Sequence, residues 1–262
     1  MLKVSRHNSH ALRAHLLRLV AYHSLTLVAA ALVVYGVMMF AAIDMEALRQ
    51  GALLMILLVV SISIHEFGHA WVADLRGDPL PRAQGRVTLD PMAHIDPIGT
   101  LLIPGVMIFW PAFFGGGAPI ALIGWGKPVQ VLLANPRTRY WDDILTTLAG
   151  PAMNLLLCII VALGTALAGL LGWIPSFEMQ RFLLLALLLN ASLMAFNLLP
   201  IPPLDGGRLL RRLVGMTEET FIQISTYAPW VLLLLINLGP FRAFLGGLVG
   251  WVAAPFIWIS GL

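Results

Sequence analysis

The chain has 262 residues, of which 59% are hydrophobic and only 11% charged, against about 25% charged in a soluble domain. That composition excludes an ordinary soluble enzyme and places the chain in a membrane. The formal charge of +3 is spread over short segments between apolar runs, which marks orientation rather than nucleic-acid binding, and the single cysteine, Cys158, excludes an intrachain disulfide.

Residues 1–18 carry Lys3, Arg6, Arg13 and Arg18 with His7, His10 and His15 and no acid, so they read as a basic cytoplasmic leader. Six apolar stretches follow, at 19–42, 51–72, 144–171, 182–199, 221–238 and 243–262, each about the length a helix needs to cross a hydrocarbon core. The first is too long for the apolar core of a secretory signal and reads as a retained span. The second holds Ser61-Ile62-Ser63-Ile64-His65-Glu66-Phe67-Gly68-His69 in its inner half and stops at Gly77 and Pro79. Residues 85–91 then alternate briefly and close at Pro91, the pattern of a short strand or hairpin edge, with a surface loop as the alternative.

The stretch 98–123 is apolar and long enough to span, but Pro104, Pro111 and Gly115-Gly116-Gly117 interrupt it. If it re-enters and returns, all of the 16 Lys and Arg except Arg49, Arg181 and Arg242 fall on the inner side, so a re-entrant segment is expected, lined by protein. The third crossing opens with Ala149-Gly150-Pro151-Ala152-Met153-Asn154, where small residues allow close helix packing and Asn154 serves either an interhelical bond or a site. The fourth ends in Phe196-Asn197-Leu198-Leu199-Pro200-Ile201-Pro202-Pro203-Leu204-Asp205-Gly206-Gly207-Arg208. The expected fold is therefore an all-α polytopic membrane protein of about six transmembrane helices, with a short membrane-associated β-hairpin and a re-entrant segment. We read it as one domain over 1–262, with the core at 51–210 and a C-terminal helical pair at 221–262.

Two imidazoles and a carboxylate inside an apolar run are costly, since a charge at the bilayer centre costs roughly 2.5–3.5 kcal/mol on insertion scales. On a helix His65 and His69 stand at i and i+4, so both rings share one face and can hold one metal ion, with Glu66 beside them as a candidate base. A catalytic zinc usually takes three protein ligands, and the remaining candidates at suitable depth are His94, Asp96 and Asp205. Asp205 suits best, because it ends an inward span as His65 and His69 occupy the inner half of another. A turn or capping role is its alternative. Pro200, Pro202 and Pro203 keep the preceding backbone extended, and Gly206-Gly207 permits a tight turn after it.

The pairing of His65-Glu66-Phe67-Gly68-His69 with the Asn197 to Gly206 stretch resembles the site-2 protease family of intramembrane zinc metalloproteases. The stretches Gly150-Pro151-Ala152-Met153-Asn154 and Gly124-Trp125-Gly126-Lys127-Pro128-Val129 are similar to its compact prokaryotic members, which lack PDZ and CBS domains. The resemblance covers roughly residues 60 to 210 and rests on motifs that are specific only in combination. It implies one catalytic Zn2+ held by His65, His69 and Asp205, with Glu66 moving a proton from water to the leaving amine. It also implies substrate or oxyanion contacts at Asn197, for which helix packing is the alternative, and a substrate-capturing edge strand at Arg86, Val87, Thr88 and Leu89. Asn154 is kept as a further candidate for substrate contact. The substrate implied is a membrane protein, single-span by expectation, within the lipid bilayer of the cell (plasma or inner) membrane. No nucleic acid is expected, and there is room for a regulatory membrane partner.

The competing reading is a metal-binding membrane protein without hydrolysis, either a transporter or a partner-binding pseudoprotease. A transporter would distribute polar residues along several spans or show internal repeats, and here they concentrate at one place. Glu66 is unnecessary for simple metal binding, which speaks against the pseudoprotease. A di-iron oxygenase would need more histidine clusters than seven histidines supply, four of them lying in the leader and first span.

Overall fold

The structure, a computed structural model, describes residues 28, 31–34, 36, 43–116, 124–133 and 135–262. The expected leader and most of the expected first span lie outside the described residues. Every regular element among those described is helical. Helix α1 (Met45–Leu75) begins where the Asp44 carboxylate accepts the backbone N–H groups of Glu46 and Ala47, both at 3.0 Å, which satisfies donors that a helix start leaves free. It stops at Gly77, whose φ of 84° suits a residue without Cβ. One helical turn (Leu80–Ala83), a 3₁₀ turn (Pro91–Ala93) and a π-helical turn (Pro97–Leu102) lead into α2 (Ile103–Phe114). Then come α3 (Arg139–Leu170), α4 (Phe177–Asn197), the short α5 (Asp205–Val214), α6 (Glu218–Leu235) and α7 (Gly239–Ser260).

Helices α1, α3 and α4 pack together at the centre, with α2 against α1, α7 against α3 and α4, and α5 against α3. Water is not what drives apolar helices together in a bilayer, so close contact between small residues matters more. One core joins Cys158 and Ala162 of α3 to Leu187 and Ala191 of α4 and Ala253 of α7, while a second joins Leu58 and Ile62 to Ile108 and Leu189. Gly68 shows how tight the α1–α3 crossing is: a Cβ there would stand 2.7 Å from the Ala149 carbonyl oxygen and from Met153 Cγ. The ends of the bundle are tied by charge. Arg76 meets Asp142 at 2.6 Å at one end, and Arg49 meets Glu178 at 2.9 Å at the other.

Two expectations need correction. Five helical stretches among the described residues are long and apolar enough to cross a membrane: Met45–Leu75, Pro97–Phe114, Arg139–Leu170, Phe177–Asn197 and Gly239–Ser260. The expected span at 221–238 is not among them, because α6 opens on Glu218 and Glu219 and carries Gln223, Ser225 and Thr226 in its first half. The stretch expected to re-enter contains one of the five, and its two ends come together. The Trp125 N–H donates to the Gly99 carbonyl at 3.0 Å, and the Thr100 hydroxyl donates to the Trp125 carbonyl at 2.7 Å.

The expected β-hairpin does not form, since no strand occurs among the described residues. Within Arg86, Val87, Thr88 and Leu89, backbone groups of Arg86 and Thr88 are engaged elsewhere. Arg86 N–H donates to the Pro81 carbonyl at 2.8 Å, and the Thr88 carbonyl accepts from His94 Nε2 at 2.8 Å. The Asp90 carboxylate then starts the 3₁₀ turn by accepting from Met92 N–H.

Gly68→Val forces α1 and α3 apart and is expected to destabilise the fold by about 1–3 kcal/mol, the usual cost of overpacking. The thermal unfolding midpoint of the detergent-solubilised protein should fall accordingly, and an unchanged midpoint would contradict the close α1–α3 crossing.

Candidate metal centre

His65 and His69 lie one turn apart on the buried face of α1, and Asp205 opens α5 directly opposite them. All three are buried. His65 Nε2 and His69 Nε2 stand 3.1 Å apart, and the Asp205 Oδ2 is 3.2 Å from the first and 3.4 Å from the second. Asp205 is brought here by glycines that allow close approach. A Cβ at Gly206 would lie 2.3 Å from the carbonyl oxygens of Leu198 and Leu199, and one at Gly207 2.5 Å from Pro202 N, so α5 can start only against a backbone without side chains.

The partners of the imidazoles fix where their protons lie. The Thr146 carbonyl can only accept, so His69 Nδ1 donates to it at 2.7 Å and the lone pair is left on Nε2. For His65 the direction runs back through three residues. The Ala186 carbonyl accepts from Asn190 Nδ2 at 2.9 Å, which turns Asn190 Oδ1 towards Asn154 Nδ2 at 3.0 Å. Asn154 Oδ1 therefore faces His65 Nδ1 at 2.6 Å and must accept from it. Both Nε2 atoms thus present lone pairs, and Asp205 Oδ2 is a third acceptor, buried and without a hydrogen-bond donor.

Three acceptors converging on one point in an apolar interior repel one another. A proton can bridge two of them, whereas a cation serves all three. Donor atoms about 2.0–2.1 Å from one ion at tetrahedral angles stand about 3.3–3.4 Å apart, which the observed separations approach. Two neutral imidazoles and a carboxylate are also a usual catalytic zinc donor set. The space in front of them is kept open by Gly150 of α3, where a Cβ would fall 2.3 Å from His69 Nε2 and 2.6 Å from His65 Nε2. His65, His69 and Asp205 are thus the residues that could hold a metal.

Glu66 lies at the edge of this cluster, partly exposed, and the extended segment 124–129 crosses it: a Cβ at Gly126 would sit 2.7 Å from Glu66 Cγ and 3.0 Å from Oε1. That segment is anchored by Lys127 N–H donating to the His94 carbonyl at 2.8 Å and by the Arg86 guanidinium, which donates to the carbonyls of Ala93 and Lys127. Burial pushes the Arg86 pKa below its ordinary value, opposed by the charge of Glu66. Burial likewise pushes His94 below the usual imidazole value, which suits the neutral form donating from Nε2 to Thr88.

The structure brings His65, His69 and Asp205 together, with Asn154 behind His65 and Glu66 next to His65 on α1. Asn197 stands at the end of α4 with its amide nitrogen donating to the Leu193 carbonyl at 3.0 Å. Val87 and Thr88 are partly exposed, Leu89 is exposed, and Arg86 is buried as a brace. His94 and Asp96, the other third-ligand candidates, serve the loop: Asp96 accepts the backbone N–H groups of Ile98 and Gly99. Sequence reading missed Asn190, although a second asparagine within the apolar crossing next to that of Asn154 is itself the signature of an interhelical bond.

The chain also resembles known proteins over much of its length. The profile described as Peptidase family M50 matches residues 165–236, a stretch that contains Asp205. Among curated proteins, the chain is 36% identical over 168 residues to "Putative zinc metalloprotease YwhC" of Bacillus subtilis, covering 62% of this chain and 68% of that one. It is 31% identical over 205 residues to "Putative zinc metalloprotease Rip2" of Mycobacterium tuberculosis, covering 78% of this chain and 71% of that one. No solved structure gives a significant match.

Replacing Asn190 with Leu removes the carbonyl that holds Asn154 in register. Zinc affinity is expected to fall about 10–100-fold, the usual effect of losing a partner behind a ligating histidine. Competition with a chelator of known affinity measures it, and unchanged affinity would show that the asparagine pair does not orient His65.

Proposed function

Because the chain belongs to peptidase family M50, the site-2 proteases, and is a multi-pass membrane protein and zinc metalloendopeptidase, we propose that it hydrolyses peptide bonds in or near the transmembrane segments of membrane protein substrates. The observation that carries this reading is the convergence of three lone pairs, from His65, His69 and Asp205, inside an apolar bundle with Glu66 at its edge. In this reading His65, His69 and Asp205 hold the ion. Zinc, when bound, supplies Lewis acidity that acidifies water and polarises a peptide carbonyl.

The chain's own residues do the rest. Glu66 accepts a proton from water and returns it to the leaving amine. Asn154 and Thr146 hold the two imidazoles with their Nε2 atoms facing inwards. The Asn197 amide donates to the carbonyl oxygen on which charge develops. Val87, Thr88 and Leu89 contact the unwound peptide from a loop that the buried Arg86 braces, Leu89 being the exposed side chain available for it.

The site end of the bundle faces the cytoplasm in this proposal. Arg76, Arg82, Arg86, Lys127, Arg137, Arg139, Arg208, Arg211 and Arg212 gather there, whereas Arg49 and Arg181 at the other end bond to Glu46, Glu178 and Gln50. An excess of cations on one side is the usual mark of the cytoplasmic face.

Glu66→Gln should lower cleavage of a reconstituted single-span substrate by about 10²–10⁴-fold, the scale of general acid–base catalysis, while zinc stays bound. Loss of zinc from this variant would make Glu66 a ligand or a structural residue, and undiminished cleavage would remove it from the reaction. Chelation should abolish cleavage by the wild type, with added zinc restoring it. For orientation, a cysteine introduced beside Lys127 in a Cys158→Ala background should react only with a reagent supplied from the cytoplasmic side. Labelling from the outside alone would reverse the topology.

A further inference from the structure

At the site end, where α3, α5 and α6 meet, a cavity of about 350 Å³ is lined by Arg139, Tyr140, Arg211, Arg212, Gly215, Met216 and Glu218. Its charge is unbalanced. Arg212 donates to Asp143, and Arg211 donates to Glu218 and, at 3.4 Å, to Asp143, so these two guanidinium groups already engage the two carboxylates. Arg139 has no ion-pair partner among the described residues, and Arg211 Nε is buried without an acceptor. The cavity therefore has room and donors for one more anion.

Its surroundings place that anion at the bilayer surface. On α5 the residues Arg208, Arg211 and Arg212 share one face, and Leu209, Leu210, Leu213 and Val214 the other, with Leu213 72% and Val214 62% exposed. Such a helix lies in the membrane interface with its apolar side towards the acyl chains. Tyr140 and Trp141, both exposed at the start of α3, are the residue types that settle at headgroup level. A basic pocket between membrane helices at this depth suits an anionic lipid headgroup.

We propose that this cavity binds the phosphate of an anionic glycerophospholipid. Arg139 supplies the free guanidinium, Arg211 Nε a further donor, and the exposed leucine face of α5 the contact with the acyl chains. Asp205 begins the same ten-residue helix, so on the metal-site reading above a bound headgroup also braces the helix that carries the third ligand. A free phosphate would use the same donors but not the apolar face.

The test titrates the full chain in detergent micelles with short-chain phosphatidylglycerol, phosphatidylcholine of equal chain length, and inorganic phosphate, scoring bound species by native mass spectrometry. Phosphatidylglycerol should bind about tenfold more tightly than phosphatidylcholine, and Arg139→Gln should remove that preference. Arg139 is exposed, so its loss leaves the fold intact, and Arg139→Lys should retain most of the preference through its charge. Glu66→Gln should bind lipid as the wild type does, which separates this site from the outcome of any cleavage assay. Equal binding of the two lipids, or a preference that survives in Arg139→Gln, would overturn the proposal. Displacement of phosphatidylglycerol by an equal concentration of inorganic phosphate would overturn the lipid assignment.

Discussion

Everything at the centre of this protein follows from placing three unprotonated acceptors within 3.4 Å of one another in an apolar bundle. Their mutual repulsion is strongest where water cannot screen it, so the fold must hold them there by other means. Helix geometry stacks two of them at i and i+4 on α1. The third comes from a separate helix, and Gly206 and Gly207 let that helix begin directly against the end of α4. The protons are kept on the far nitrogens by Thr146 and by the chain of amides from Asn154 through Asn190 to the Ala186 carbonyl. Each of these devices fails if the helices separate, which is why Gly68 and Gly150 sit where α1 and α3 touch.

Ion pairs at the site end fix the remaining freedom. Asp142 and Asp143 start α3, and they engage Arg76 at the end of α1 and Arg211 and Arg212 on α5. The helix that presents the histidines and the helix that presents Asp205 are thereby both tied to α3. Such pairs are partly buried, so breaking one leaves a carboxylate or guanidinium without its partner, a larger loss than a surface pair would cause. On the other side of the cluster, the Arg86 guanidinium ties the 93–94 turn to the segment that crosses Glu66. One buried cation thus holds two loop segments together beside the site.

Much of the site was legible because its chemistry is local in the chain. His65, Glu66 and His69 lie within five residues, and Asp205 was singled out by depth and by a proline-rich context that the structure shows as a turn between α4 and α5. What could not be read were contacts set by tertiary packing. Asn190 and Thr146 serve the imidazoles from other helices; the asparagine's place in an apolar crossing announces a bond but not its partner, and Thr146 acts through its backbone carbonyl, which no side chain announces. The alternation at 85–91 suggested a strand, but periodicity over so few residues is outweighed by the bonds that Arg86 and His94 make to the backbone. The apolar run at 221–238 suggested a span, and the polar residues in the first half of α6 weaken it. Gly206-Gly207 was read as a turn for conformational reasons, whereas both residues are needed for close approach within a helix.

The central claim is that His65, His69 and Asp205 share one zinc ion, and X-ray absorption at the zinc edge of the purified protein tests it most directly. The account predicts two imidazole nitrogens and oxygen neighbours at about 2.0–2.1 Å. A sulfur shell at about 2.3 Å, or a first shell with no imidazole scattering, would contradict it.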